Sequence, residues 1–246
     1  MTQIDAVDHY RHLRDIAADI QNDALELVQH STMLEFGRRL GVVRSGELWG
    51  DESELKLVYD LAIHTARPGR SRAIDRYARA AALPPDSEKA RVLVALQNAR
   101  FTTFQFEGRH AVAGAMARDL LLKQSFHLMD VSIGLSAEAG DGFAGRLVEI
   151  DGFSMSCLTL APMYRELMEH ALPRLPRDIS ASSVFEAFQD PRCAIAVYRA
   201  AIELGYMRRT VSFDVVKEVP SAQAVARVLE VNGRRSEDWP ELTAAD

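Results

Sequence analysis

Between Phe101 and Leu160 the apolar positions recur with a period of two, whereas on either side they recur every three or four residues. Within that stretch Phe104 and Phe106 alternate with Thr103, Gln105 and Glu107, and Gly108 ends the run. This is the mixture of aromatic and β-branched residues that suits a half-buried strand. A second extended run is expected from Ala111 to Arg118. After a break at Gln124-Ser125, a third covers Phe126–Ile133 and closes at Gly134. Gly140-Asp141-Gly142 has turn chemistry, and Phe143–Ile150 and Phe153–Leu160 are joined by Asp151-Gly152, a dipeptide suited to a two-residue hairpin. Roughly five short strands with regular turn signals predict a small antiparallel β-barrel or sheet.

The flanking segments read as helix. From Asp5 to His30 the set Val7, Tyr10, Leu13, Ile16, Ile20, Ala24 and Leu27 forms one stripe. Ser31 is placed to cap a helix over Thr32–Leu40 that Gly41 ends, and Val42–Trp49 is expected to be a connector. Further helices are predicted over Glu52–Ala66, Ser71–Leu83 and Ser87–Ala99, separated by Pro68-Gly69 and Pro84-Pro85. Beyond the strands, helices are expected at Pro162–Leu172, with proline near the start, at Ala181–Gln189, and at Pro191–Leu204 with Asp190 as cap. An extra strand at 211–216, a last helix at 221–231 and a flexible tail at 232–246 complete the reading.

The fold class is therefore α+β, with a helical domain over 1–100, a small β-barrel or sheet over 101–160, and C-terminal helices over 161–231. At 246 residues and 48% apolar, the chain can bury a normal core. No run approaches a membrane span and the first residues hold no apolar leader core, so a cytoplasmic home is the expectation. Cys157 and Cys193 show no metal or disulfide spacing and are expected to be buried small hydrophobes. No cofactor and no metal is expected.

Net charge is −6, but residues 61–100 carry 8 basic against 3 acidic groups. Arg72, Arg76 and Arg79 share a helix face, with Arg67 and Arg70 just before it. Guanidinium forks bind phosphate bidentately, so this cluster is a candidate surface for nucleic acid or an acidic partner, against the plainer reading of a solvated face. A second candidate ligand site is Arg118, Asp119, His127 and Asp130, although His127 and Asp130 fall on opposite faces of one predicted strand and cannot form a direct acid–base pair there. His64 reads as a helix-end cation. No nucleophile-elbow, zinc-protease, phosphate-loop or dinucleotide motif is present.

The segments GAMARDLLLKQSFHLMDVS and GDGFAGRLVEIDGF, following ARFTTFQFEG, resemble bacterial proteins of uncharacterised role in which an RDLL-like segment and a late ARL-like strand recur in a small β module. Here these are Arg118–Leu121 and Gly145–Leu147; some such relatives carry an added cysteine-rich zinc segment, which this chain lacks. The resemblance implies the fold order and no reaction.

The expected function is a non-catalytic binding or regulatory protein, associated with nucleic acid through the basic helix. The alternatives are a protein–protein adaptor or homo-oligomer using an apolar patch on Ala181–Leu204, and an enzyme with a pocket where helices meet the β module. A pocket above about 300 Å³ with convergent acidic and histidine groups would favour the enzyme.

Overall fold

A computed structural model describes residues 3–66, 69–179 and 181–207. The expected strand at 211–216, the helix at 221–231, the tail and Arg67 lie outside the described residues. The architecture is α+β: five N-terminal helices, a curled sheet, then C-terminal helices.

Helix α1 spans Gln3–Glu26 and buries Tyr10, Leu13, Ile20 and Ala24 of the predicted stripe. Leu27 falls beyond its last turn and is 40% exposed. Helix α2 spans His30–Leu40 and stops at Gly41, whose φ of 84° is the left-handed conformation only glycine adopts cheaply. Its cap is not Ser31: the helix begins at His30, two residues before the expected Thr32, so Ser31 lies inside the first turn, and Gln29 at the cap position makes no side-chain capping bond. The expected connector folds as a small hairpin, β1 Val43–Arg44 and β2 Glu47–Leu48, because Ser45 and Gly46 both take positive φ (54° and 85°).

Helix α3, Glu52–His64, opens on a reciprocal capping box. The Glu54 amide donates to Asp51 Oδ1 at 2.9 Å and the Asp51 amide to Glu54 Oε2 at 3.1 Å. Asp51→Ala is expected to cost about 1 kcal/mol, read as an earlier urea midpoint at unchanged slope. Helix α4 is Ala73–Ala80, shorter than the expected Ser71–Leu83, and α5 is Glu88–Gln97 with Ser87 as its cap.

The sheet contains β3 Arg100–Arg109, β4 Ala115–Asp119, β5 Gln124–Leu128, β6 Gly142–Ile150 and β7 Phe153–Pro162. Antiparallel ladders join β3 to β4, β4 to β5, β3 to β6 and β6 to β7. At the β6–β7 hairpin Asp151 and Gly152 take φ of 49° and 82°, the two-residue turn expected there. The sheet is mixed rather than wholly antiparallel: β5 meets β7 in parallel, through the single pair Leu128–Ser154. That one bridge brings the two edges together, so the assembly is a curled sheet with a seam rather than an evenly laddered barrel. The predicted run Phe126–Ile133 is also corrected. Strand β5 stops at Leu128, and Asp130 accepts from the Ile133 amide at 3.0 Å to cap a short helix α6, Val131–Ser136.

Phe104, Phe106, Ala117, Leu128, Phe143 and Leu147 fill the concave side of the sheet, leaving its interior to side chains. The opposite face of β6 and β7 is covered by helices. After β7 come α7 Arg165–Ala171, a 3₁₀ turn Leu172–Arg174, α8 Val184–Phe188 and α9 Pro191–Glu203. Pro162 does not open a helix: it is the last residue of β7, paired with Phe143. Asp190 caps α9 ahead of Pro191 as expected. One apolar cluster joins Phe36 and Leu40 of α2, Leu57 and Leu61 of α3, Phe101 of β3, Leu167 of α7 and Val197 and Tyr198 of α9. The helices at both ends of the described chain thus pack around the same strands.

Candidate functional site

Where α3 and α9 cross β6 and β7, five polar side chains are buried together. Asp60 and His64 lie one turn apart on α3, Arg146 comes from β6, Cys157 from β7 and Tyr198 from α9. Asp60 and Tyr198 are 2% and 0% exposed, and none of the five exceeds 8%. The strand pair is irregular at this point. Gly145 pairs with Leu160 and Leu147 with Ser156, so residues 157–159 of β7 stand opposite the lone Arg146 of β6. Bulges of this kind re-aim side chains. Gly145 allows it, since a Cβ there would come within 2.6 Å of Leu160 Cδ2 and 3.1 Å of the Thr159 carbonyl oxygen.

Arg146 Nε lies 3.2 and 3.3 Å from the two Asp60 oxygens, and the Tyr198 hydroxyl donates to Asp60 Oδ2 at 3.1 Å. Burial, with Arg146 and Arg72 nearby, pushes the His64 pKa well below the usual histidine range. His64 is therefore neutral, which corrects its reading as a helix-end cation. Burial and Asp60 push the Cys157 thiol up, only partly offset by Arg146 and Arg14, so it is protonated and not an activated nucleophile. Both His64 ring nitrogens are buried without a hydrogen-bond partner. One ligand atom each from Asp60, His64 and Cys157 lies within 4.8 Å of the others.

A second feature is a cavity of about 290 Å³ between the α1–α2 junction, the end of α3 and the start of α4. Its walls include Gln29 and Thr32 at the start of α2, Thr65 after α3, and Arg70, Ser71 and Arg76. The Arg76 guanidinium donates to the Ser71 carbonyl at 2.6 Å and the Leu27 carbonyl at 2.9 Å, and pairs with no carboxylate among the described residues. Arg70 is exposed and untied among the described residues, and Thr65 Oγ1 is buried without a partner.

The basic cluster is therefore not a row of equivalent cations. Arg72 makes a bidentate pair with Asp75 at 2.7 and 2.8 Å, and this hydrogen bond holds the Asp75 carboxyl below its usual range. Arg79 donates to Ser71 Oγ at 2.7 Å. Of the described members of the cluster, only Arg70 and Arg76 line the cavity.

The set Arg118, Asp119, His127 and Asp130 does not converge. Asp119 is buried, ion-paired with Arg100, and accepts from Thr102 Oγ1 and from the amides of Leu121 and Leu122, each at 2.9 Å. His127 sits toward the other end of the β4–β5 ladder, where it meets the Ala113 carbonyl at 2.7 Å and stacks on His110 at 3.6 Å. Burial lowers its pKa. Arg118 is exposed and reaches Glu107 only at 4.0 Å, and Asp130 is a helix cap.

Sequence reasoning missed the buried cluster. Its signal was present: Asp60 and His64 fall among the apolar positions Leu57, Val58, Leu61 and Ile63, and Arg146 shares a strand face with Ala144, Val148 and Ile150. No curated protein and no solved structure matches the chain. A family match covers residues 4–174, which include Asp60, His64, Arg146, Cys157 and the cavity residues but not Tyr198. Both segments of the expected kinship, Arg118–Leu121 and Gly145–Leu147, fall inside it, and the chain belongs to DUF7986, a family of unknown function.

Proposed function

We propose that this is a non-catalytic binding protein whose cavity between α2 and α4 takes a small anion, such as a phosphate or carboxylate group. The observation that carries this reading is Arg76, a guanidinium fixed by two backbone carbonyls at the cavity wall with no carboxylate to neutralise it among the described residues. Arg70 adds a second cation, and Thr32, Thr65 and Ser71 supply hydroxyls. The start of α2 favours negative charge as well, because its first-turn amides have no side-chain cap. Among the described residues no acidic or histidine side chain lines the cavity, which gives general acid–base chemistry no footing among them.

An extended nucleic-acid track is the weaker version, since Arg72 is already neutralised by Asp75. Calorimetric titration of the full chain with inorganic phosphate, and with a short dicarboxylate, tests the proposal. Binding that weakens with salt is expected, and Arg76→Gln should lower affinity by roughly 10- to 100-fold, the worth of a charge-assisted hydrogen bond. Absence of binding, or binding indifferent to both Arg76→Gln and Arg70→Gln, would overturn it. Steeply salt-dependent oligonucleotide binding abolished by Arg72→Glu with Arg76→Glu would replace it with the nucleic-acid reading.

A further inference from the structure

The buried cluster contains two groups that its own hydrogen bonds leave unused. Asp60 is committed to Arg146 and Tyr198. His64 has neither ring nitrogen paired, and no hydrogen bond ties the Cys157 thiol among the described residues. A buried polar group without a partner forfeits about 1–3 kcal/mol, so such a group in a folded protein calls for a ligand or ion to explain it. The facing atoms of His64 and Cys157 lie within 4.8 Å of each other. One metal ion with bonds of about 2.0 Å to nitrogen and about 2.3 Å to sulfur bridges about 4.3 Å at most, so side-chain adjustment of no more than about 0.5 Å seats it in a near-linear arrangement.

We propose that Cys157 and His64 form a site for a soft monovalent metal ion, copper(I) by class, with the Asp60–Arg146 pair as its charge-neutral surround. Ligand softness selects the metal: thiolate with imidazole suits copper(I) or zinc, and the carboxylate that would favour a harder ion is already held by a guanidinium. Charge then decides between those two. On binding, the Cys157 S–H bond breaks, the proton leaves to solvent, the sulfur and one His64 nitrogen each donate a lone pair to the metal, and no electron is transferred. Copper(I) with the Cys157 thiolate sums to zero, and Asp60 with Arg146 sums to zero. A divalent ion would leave one uncompensated positive charge in a buried site beside Arg146, with Arg14 also close, its Nη1 2.7 Å from the Ser156 carbonyl. Buried uncompensated charge is the more costly outcome.

The test uses the full chain, freed of metal and kept reduced without added thiols, titrated anaerobically with copper(I) against a chromophoric chelator. One equivalent per chain is expected, with affinity falling about 100-fold or more in Cys157→Ala and clearly in His64→Gln, while Cys193→Ala, at the other buried cysteine, leaves it unchanged. X-ray absorption of the copper-loaded wild-type chain needs no variant and should show one sulfur and one imidazole nitrogen in the first shell. No uptake, uptake lost with Cys193→Ala and kept with Cys157→Ala, or a first shell without sulfur would overturn the site. One zinc ion per chain that survives gel filtration and depends on Cys157 would overturn the monovalent assignment.

Discussion

Replacing Arg146 by Met in the metal-free chain is expected to lower stability by about 3–5 kcal/mol, because it strands the Asp60 carboxylate in the core. Asp60 is 2% exposed, and among the described residues Tyr198 would be its only remaining side-chain donor. The loss comes from an unpaired buried charge and not from the strength of the pair itself, so removing both charges should be cheaper than removing one. Asp60→Asn combined with Arg146→Met is therefore expected to recover most of the deficit, since Asn keeps an acceptor for Tyr198 and Met keeps the apolar length of the arginine stem. Urea denaturation of the four proteins in the cycle measures this. A single Arg146→Met change costing under about 1 kcal/mol, or a double variant as unstable as the sum of the singles, would show that water already solvates the pair.

Asp119→Ala is expected to produce a loss of similar size, about 3–5 kcal/mol, for a different reason. Its carboxylate is the acceptor for Arg100, for the Thr102 hydroxyl and for two consecutive amides, Leu121 and Leu122, and it is 1% exposed. Alanine would leave four donors facing a buried void at the turn that joins β4 to β5. Asp119→Asn keeps the shape and one acceptor oxygen but loses the charge, so it should fall between alanine and wild type. Thermal unfolding followed by circular dichroism ranks the three. If asparagine equalled wild type, the Arg100 pair would contribute nothing and the two amide bonds would carry the turn.

Asp119 and Arg146 also show how far the sequence could be read. The segments Arg118–Leu121 and Gly145–Leu147 stood out as recurring pieces of the β module, and each proves to hold a buried member of an ion pair. Their partners, Arg100 and Asp60, could not be named, since 86 residues separate Asp60 from Arg146 and no local pattern couples them. The basic helix was legible as composition but not as chemistry: Arg72 is neutralised within its own turn, whereas Arg76 is turned toward the Leu27 carbonyl at the end of α1.

Local physics was sufficient for the order of elements. Helical spacing, the Asp190-Pro191 start, the Gly41 stop and the Asp151-Gly152 hairpin act within a few residues, so the α+β succession and the β6–β7 pair could be derived before any contact was known. Errors fell where two local signals competed, as at Val131–Ser136, where the Asp130 cap prevailed over alternating apolar residues, and at Pro162, kept in β7 by its pairing with Phe143. The parallel seam of the sheet, the three-residue bulge opposite Arg146 and the meeting of Asp60, His64, Cys157 and Tyr198 belong to tertiary structure alone. Each depends on segments far apart in the chain packing against one another, and in a buried site it is the neighbours brought by packing that decide which groups stay charged, which are neutral and which lack a partner.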